Sequence, residues 1–168
     1  DLYRRNVEDR TLQTIRSCIF ISGYVVLTLV YGIVGLLVIK LPLRPRNRII
    51  VTWTHLILAW AKLVVGIKTR AIGLENATAC ERPVVILAKH QSAWETFYLQ
   101  GLFAPAATVL KRELLRIPFF GWGLAALAPI AIDRSKPRDA IKQVKDEGIQ
   151  KLEEGVSLLL FPEGTRDR

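Results

Sequence analysis

The stretch VVILAKHQSAWETFYLQ, residues 84–100, places His90 at the end of a β-branched run and Glu95 five residues later. These are the residue types of a general base and the group that orients it. An unperturbed imidazole titrates near ~6.5 and so accepts a proton around neutral pH. A carboxylate on its other ring nitrogen fixes the tautomer and stabilises the imidazolium. A plainer reading stays open beside this one. Ser92-Ala93-Trp94-Glu95 is a capping box, Ser at the N-cap and Glu at N3, in which Glu95 merely closes a helix start. The two readings are compatible. A spacing of five is not one face of a helix with ~3.6 residues per turn, so the helix must begin after His90, and a cap at Ser92 supplies the bend. The chain's other histidine, His55, lies in an apolar helical stretch and reads as a polar-face residue.

Positioning these groups falls to short β-rich runs at 83–88, 107–110, 128–132 and 156–161, with helical patterns between them. Such alternation predicts βαβ units: an α/β fold with a mostly parallel sheet flanked by helices. The last helix is marked by Ser135 as N-cap, Pro137 near N1 and Gly155 as C-cap. Ligands of open parallel sheets bind at the carboxyl ends of the strands. Each run here is followed by polar residues: Lys89, His90 and Glu95; Lys111, Arg112 and Glu113; Asp133 and Arg134; Glu163, Thr165 and Arg166. They should meet on one edge, and one base among many cations suits a phosphate-bearing substrate.

The N-terminal third has a different character. Residues 18–39 are uncharged, and about 20 apolar residues suffice to cross a bilayer's hydrocarbon core; the stretch reads as a retained membrane segment rather than a cleaved leader. Residues 49–67, with Trp53, Trp60 and a snorkelling Lys62, fit an interfacial helix. Arg44-Pro45-Arg46 reads as a stiff, basic hinge. The expected organisation is a membrane-anchoring segment, 1–67, and an α/β domain, 68–168. Lys and Arg flank the apolar stretch on both sides, so the positive-inside rule selects no orientation. A single span and a helix lying in one leaflet both remain open. The 168 residues carry a formal net charge of +9 and are 51% hydrophobic. That combination points to an anionic membrane surface. Nucleic acid is disfavoured, because the chain has neither zinc-ligand spacing nor an RNP-like motif. Two cysteines, Cys18 and Cys80, make neither a disulfide framework nor a metal set.

Four blocks resemble those of the glycerolipid acyltransferases. HQSAWE resembles their H-x-x-x-x-D block, KRELLRIPFFGWGL their K-x-E-L-x-x-x-P-x-x-G block, PIAIDR the block ending in Ile-Asp-Arg, and FPEGTR the Glu-Gly-Thr-Arg block. The four keep the family's order and spacing over roughly residues 69–166, and the chain is identified as a member on them. The resemblance implies a membrane-bound acyltransferase. His90, oriented by Glu95, would take the proton from the sn-2 hydroxyl of lysophosphatidic acid. The oxygen would then attack the thioester of acyl-CoA or acyl carrier protein directly, giving phosphatidic acid. Lys111, Arg134, Glu163, Gly164, Thr165 and Arg166 would form the substrate site, with Glu163 holding Arg166 or another cation and Gly164 permitting a tight turn. No metal or cofactor is implied. The expected partners are the two substrates and membrane phospholipid, and the expected location is the cytoplasmic face of a bacterial inner membrane. Two departures stand out. Glu95 replaces the usual Asp, and the family's last block, a Val-Pro stretch on a further strand, is missing, so the α/β domain is expected to be truncated at its C-terminus. Other acceptors, glycerol-3-phosphate or another lysolipid, stay open, as does a hydrolase using Ser92 or a cysteine, although G-x-S-x-G is lacking.

Overall fold

The structure, a computed structural model, describes residues 2–163, with side chains described for 10–77 and 79–163. Two long helices come first, α1 (Leu2–Val38) and α2 (Leu43–Val64). They pack as an antiparallel hairpin: the Tyr31 and Thr52 hydroxyls are 2.6 Å apart, and the Trp60 indole N–H donates to the Phe20 carbonyl at 3.3 Å. The short helix α3 (Leu74–Ala79) leads into β1 (Val85–Leu87), α4 (Trp94–Leu102), β2 (Ala106–Lys111), a 3-10 turn over Arg112–Arg116, α5 (Phe120–Ala125), β3 (Ile130–Ile132), α6 (Pro137–Glu153) and β4 (Ser157–Leu160).

The four strands form one parallel sheet in the order β1-β4-β2-β3. β4, the last in sequence, sits between β1 and β2, pairing Leu158 with Val85 on one side and with Ala107 on the other. Because every strand runs the same way, all four carboxyl ends lie on one edge. The sheet core is Ala107, Ile130, Val156 and Leu158, packed against Val144 and Leu152 of α6. A second core joins the hairpin to the domain: Ile50 and Val51 of α2 meet Ala126 and Leu127 beyond α5, with Tyr31, Val34 and Val38 of α1 against them. The α1–α5 contact is backbone to backbone. A Cβ on Gly32 would stand 2.5 Å from the Phe119 Cα and carbonyl oxygen, so only glycine admits this approach.

The expected strands are all present: β1, β3 and β4 are shorter by one or two residues at most ends, and β2 is longer by one at each. Several other boundaries differ. α1 begins well before Cys18, because a polar but helix-competent stretch propagates from a formed helix at little cost. Arg44-Pro45-Arg46 is not a hinge but the first turn of α2, where a missing N–H costs nothing because it would have no partner anyway. The reversal lies at 39–42, closed by the Arg46 guanidinium donating to the Ile39 carbonyl at 2.7 Å. α2 stops at Val64, not Ile67: Gly66 takes φ +80° and returns its N–H to the Ala61 and Lys62 carbonyls. Ser135 is not the α6 cap. Its N–H and hydroxyl both bond Asp133 Oδ1, at 3.0 and 2.7 Å, and Lys136 occupies the cap position. Trp53 is also not at a headgroup surface. It is 8% exposed, wedged among Tyr24, Phe97 and Phe120 with ring centroids 5.9, 5.0 and 6.2 Å away.

Candidate active site

β1 ends at Leu87 and α4 starts at Trp94, so His90 through Ala93 form the bend that the spacing requires. Within it, His90 Nδ1 lies 2.9 Å from Glu95 Oε1. The same oxygen accepts the backbone N–H of Gln91 at 2.9 Å and of Ser92 at 2.7 Å. Ser92 Oγ accepts the N–H of Trp94 at 3.1 Å and donates to Glu95 Oε2 at 2.5 Å. One carboxylate therefore closes the capping box and orients the imidazole. The N-cap of α4 is Ala93, one residue later than expected, but Ser92 and Glu95 still make the reciprocal bonds of a capping box while the same carboxylate orients the imidazole. Partial burial pushes the Glu95 carboxyl up, but the Ser92 hydroxyl, the Ser92 N–H and His90 outweigh it, and the group is held below the usual carboxylate range. With Nδ1 engaged, Nε2 is the ring nitrogen left for a proton. The imidazole packs on the Phe161 ring, centroids 4.5 Å apart, and His90 is about four-fifths buried.

His90 opens onto a cavity of about 560 Å³. Lys111, at the end of β2, and Arg134, after β3, line it on the same sheet edge, as the carboxyl-end argument requires. Its remaining wall is largely apolar and comes from Tyr24, Trp53, Phe97, Phe120, Leu124 and Leu127. Two polar residues of the wall are paired: Gln100 donates to the Ala106 carbonyl at 2.7 Å and accepts the Thr108 hydroxyl at 2.5 Å. The hairpin is thus part of the cavity wall. The sequence reading missed this wall, although its signal was available. Asn47, Ile50, Thr54, Ile57 and Ala61, the buried stripe of α2, recur at helical spacing with Trp53 beside them.

Glu163 Oε2 accepts the backbone N–H of His90 at 3.4 Å, tying the end of β4 to the end of β1. Its expected cationic partner, Arg166, lies outside the described residues together with Gly164 and Thr165. Asp133 sits at the same edge, held below the usual carboxylate range by the Ser135 hydroxyl and N–H and by Arg112 and Lys136. His55 is exposed on α2, away from the cavity lining.

A sequence profile described as Acyltransferase matches residues 68–168. The chain belongs to the acyltransferase family. A 1-acyl-sn-glycerol-3-phosphate acyltransferase of Pseudomonas aeruginosa is 47% identical over 158 residues, which is 93% of this chain and 61% of that protein. The enzyme of that name from Saccharomyces cerevisiae is 36% identical over 107 residues, 62% of this chain and 34% of that protein. The crystal structure of the 1-acyl-sn-glycerophosphate acyltransferase PlsC of Thermotoga maritima superposes with a TM-score of 0.71 at 25% identity, over 94% of this chain and 63% of that one. This acyltransferase-family chain therefore spans about three-fifths of the Pseudomonas and Thermotoga proteins and a third of the yeast one. Both the hairpin and the sheet fall within the superposed part, since almost the whole chain is covered.

Proposed function

We propose that the chain carries the catalytic part of a membrane-bound acyltransferase that moves a fatty acyl group from an acyl thioester to the sn-2 hydroxyl of lysophosphatidic acid. The observation that carries this reading is a His90–Glu95 pair at the mouth of a largely apolar cavity, with Lys111 and Arg134 beside it. The acceptor's phosphate meets Lys111 and Arg134, with Arg166 expected alongside. His90 Nε2 takes the proton of the sn-2 hydroxyl as that oxygen adds to the thioester carbonyl. Glu95 stabilises the imidazolium without taking its proton. The tetrahedral adduct collapses, the C–S bond breaks, and the imidazolium returns the proton to the departing thiolate. The products are phosphatidic acid and free thiol, coenzyme A or the carrier-protein thiol. A base, a carboxylate and cations serve every step, so the proposed transfer calls for no metal or cofactor.

The acceptor is supported by the names of the relatives. The cavity accommodates an acyl chain from either substrate. The hydrolase alternative loses ground at Ser92, whose one proton goes to Glu95 rather than towards His90.

Composition and packing support the membrane placement. α1 offers a candidate span, Arg10–Val38 (29 residues), whose most apolar 18-residue window has a mean hydropathy of 2.2 and is only 11% buried. Residues 11–74 contain eight Lys and Arg and no Asp or Glu. The buried stripe of α2 runs from Asn47 to Ala61, about 20 Å at 1.5 Å per residue. Along that length the hairpin is held side-on by α4 and α5. A hairpin crossing the bilayer would carry those helices and their polar loops into hydrocarbon, where backbone outside closed helices is not tolerated. We therefore place the hairpin in one leaflet, its basic ends at the headgroups. The cytoplasmic face of a bacterial inner membrane, where acyl thioesters are made, is the proposed location.

The test is an acyl-transfer assay on the full-length protein in lipid vesicles, offering lysophosphatidic acid, glycerol-3-phosphate and monoacylglycerol. Lysophosphatidic acid is expected to be preferred, and His90→Ala to lose several orders of magnitude with folding preserved. A His90→Ala protein with wild-type turnover would end the reading.

A further inference from the structure

A capping box needs one carboxylate oxygen on the N-cap N–H and the N-cap hydroxyl accepting from the first turn. Glu95 Oε1 and Ser92 Oγ already do both. The Ser92 O–H donating to Glu95 Oε2 is an additional contact that capping does not require. Its consequence is rotational. The last torsion of a Glu side chain turns about an sp³–sp² bond, whose profile is broad and nearly two-fold, so the rotamer does not set the carboxylate plane. Oε1 receives three donors, His90 Nδ1 and the N–H groups of Gln91 and Ser92. Oε2 receives the Ser92 hydroxyl.

We propose that Ser92 is a positioning residue of the transfer reaction: its hydroxyl pins Oε2 and so sets the carboxylate plane that keeps Oε1 on His90 Nδ1. Without that hydroxyl the two oxygens become equivalent competitors for the loop N–H groups, and the carboxylate swings between them. The imidazole then loses the fixed partner that selects its tautomer and holds Nε2 towards the cavity. The glutamate at this position makes the device possible. Its length lets the carboxylate lie back over residues 90–92 and collect donors from all three. The lowered proton affinity of Glu95, to which the Ser92 hydroxyl contributes, agrees with this geometry. The inference rests on His90 acting as the base.

The experiment is a double-mutant cycle on the full-length protein in vesicles, with kcat and KM measured for both substrates. Ser92→Ala is expected to lower kcat about tenfold, the effect of one hydrogen bond to a charged group, with both KM values unchanged. Ser92→Thr, which keeps the hydroxyl, restores kcat to within roughly twofold of wild type. In a Glu95→Gln background, Ser92→Ala should cost less than roughly twofold more, because residues acting as one unit are not additive. A full tenfold loss in that background would show that Ser92 acts through the helix cap, and the proposal would fall. It would also fall if Ser92→Ala matched wild type, or if an acyl-serine were trapped on the wild-type protein. Failure of the base reading is separate: it shows as an active His90→Ala protein.

Discussion

Replacing Glu95 by Gln isolates the charge of the pair from its shape. The amide is isosteric. Its oxygen can keep the position of Oε1 and accept from His90 Nδ1, Gln91 and Ser92, now 2.9, 2.9 and 2.7 Å away. Its NH₂ then faces Ser92 Oγ, which can accept in place of donating. The capping box survives, and what disappears is the negative charge beside the imidazolium. A hydrogen bond to a charged group contributes about 1.5–3 kcal/mol, against about 1 for a neutral one. At ~1.4 kcal/mol per decade, losing the difference of about 0.5–2 kcal/mol in the transition state predicts a fall in kcat of roughly 2- to 30-fold. The KM for either substrate should hardly move, since Glu95 is expected to touch neither. Glu95→Asp keeps the charge and retracts it by about 1.5 Å, one C–C bond. It should retain most activity, losing less than about tenfold. Steady-state acyl transfer in vesicles measures both variants. A Glu95→Gln protein as fast as wild type would show that the residue is only a cap. The pair also makes a prediction about pH. Glu95 is held below its ordinary pKa in the folded state, so its stabilising contribution is complete above the unfolded value near ~4.3 and is lost as pH falls through the lower folded value. The Tm gap between wild type and Glu95→Gln should therefore close on acidification below about pH 4. A gap that widens there would contradict the assigned direction.

The remaining predictions concern the cavity mouth and the hairpin. Lys111→Ala should raise the KM for lysophosphatidic acid and spare monoacylglycerol, because a phosphate contact present in both ground and transition states appears in KM; equal loss on both acceptors would remove Lys111 from phosphate binding. Gly32→Ala places a Cβ 2.5 Å from the Phe119 backbone and should cost about 1–3 kcal/mol by overpacking, read as a lower Tm in detergent; an unchanged Tm would mean that α1 does not seat on α5. Lys40→Gln in the basic turn and Arg48→Gln near the start of α2, both exposed, should each weaken flotation with anionic vesicles by on the order of 1 kcal/mol and leave neutral vesicles unaffected. Insensitivity to lipid charge would separate the basic turn from the membrane surface.

Much of this chain could be read from local pattern because local physics writes it. A β-branched run followed by Lys89 and His90 marks a strand with its carboxyl end at a site. Four such runs separated by helices compel a parallel sheet, and a parallel sheet gathers its carboxyl ends whatever the strand order. That is why His90, Lys111 and Arg134 were expected on one edge and are found there. The spacing from His90 to Glu95 required a bend, and the Ser92 cap identified where it lies. Local pattern could not show that β4 inserts between β1 and β2, since each strand is short and apolar enough to pair with any neighbour. Nor could it assign Trp53. A tryptophan in an apolar helix is equally at home at a headgroup or in a core, and only the arrival of Phe97 and Phe120 from distant parts of the chain puts it in the cavity wall. Pro45 misled for a related reason: proline breaks a helix interior but is neutral in a first turn, and which of the two it occupies depends on where the preceding helix stops. The division of labour on Glu95 is likewise tertiary. Sequence offered a cap and an orienting carboxylate as two compatible roles. The fold makes them one group, because a carboxylate has two oxygens and the bend supplies four donors close enough to use them.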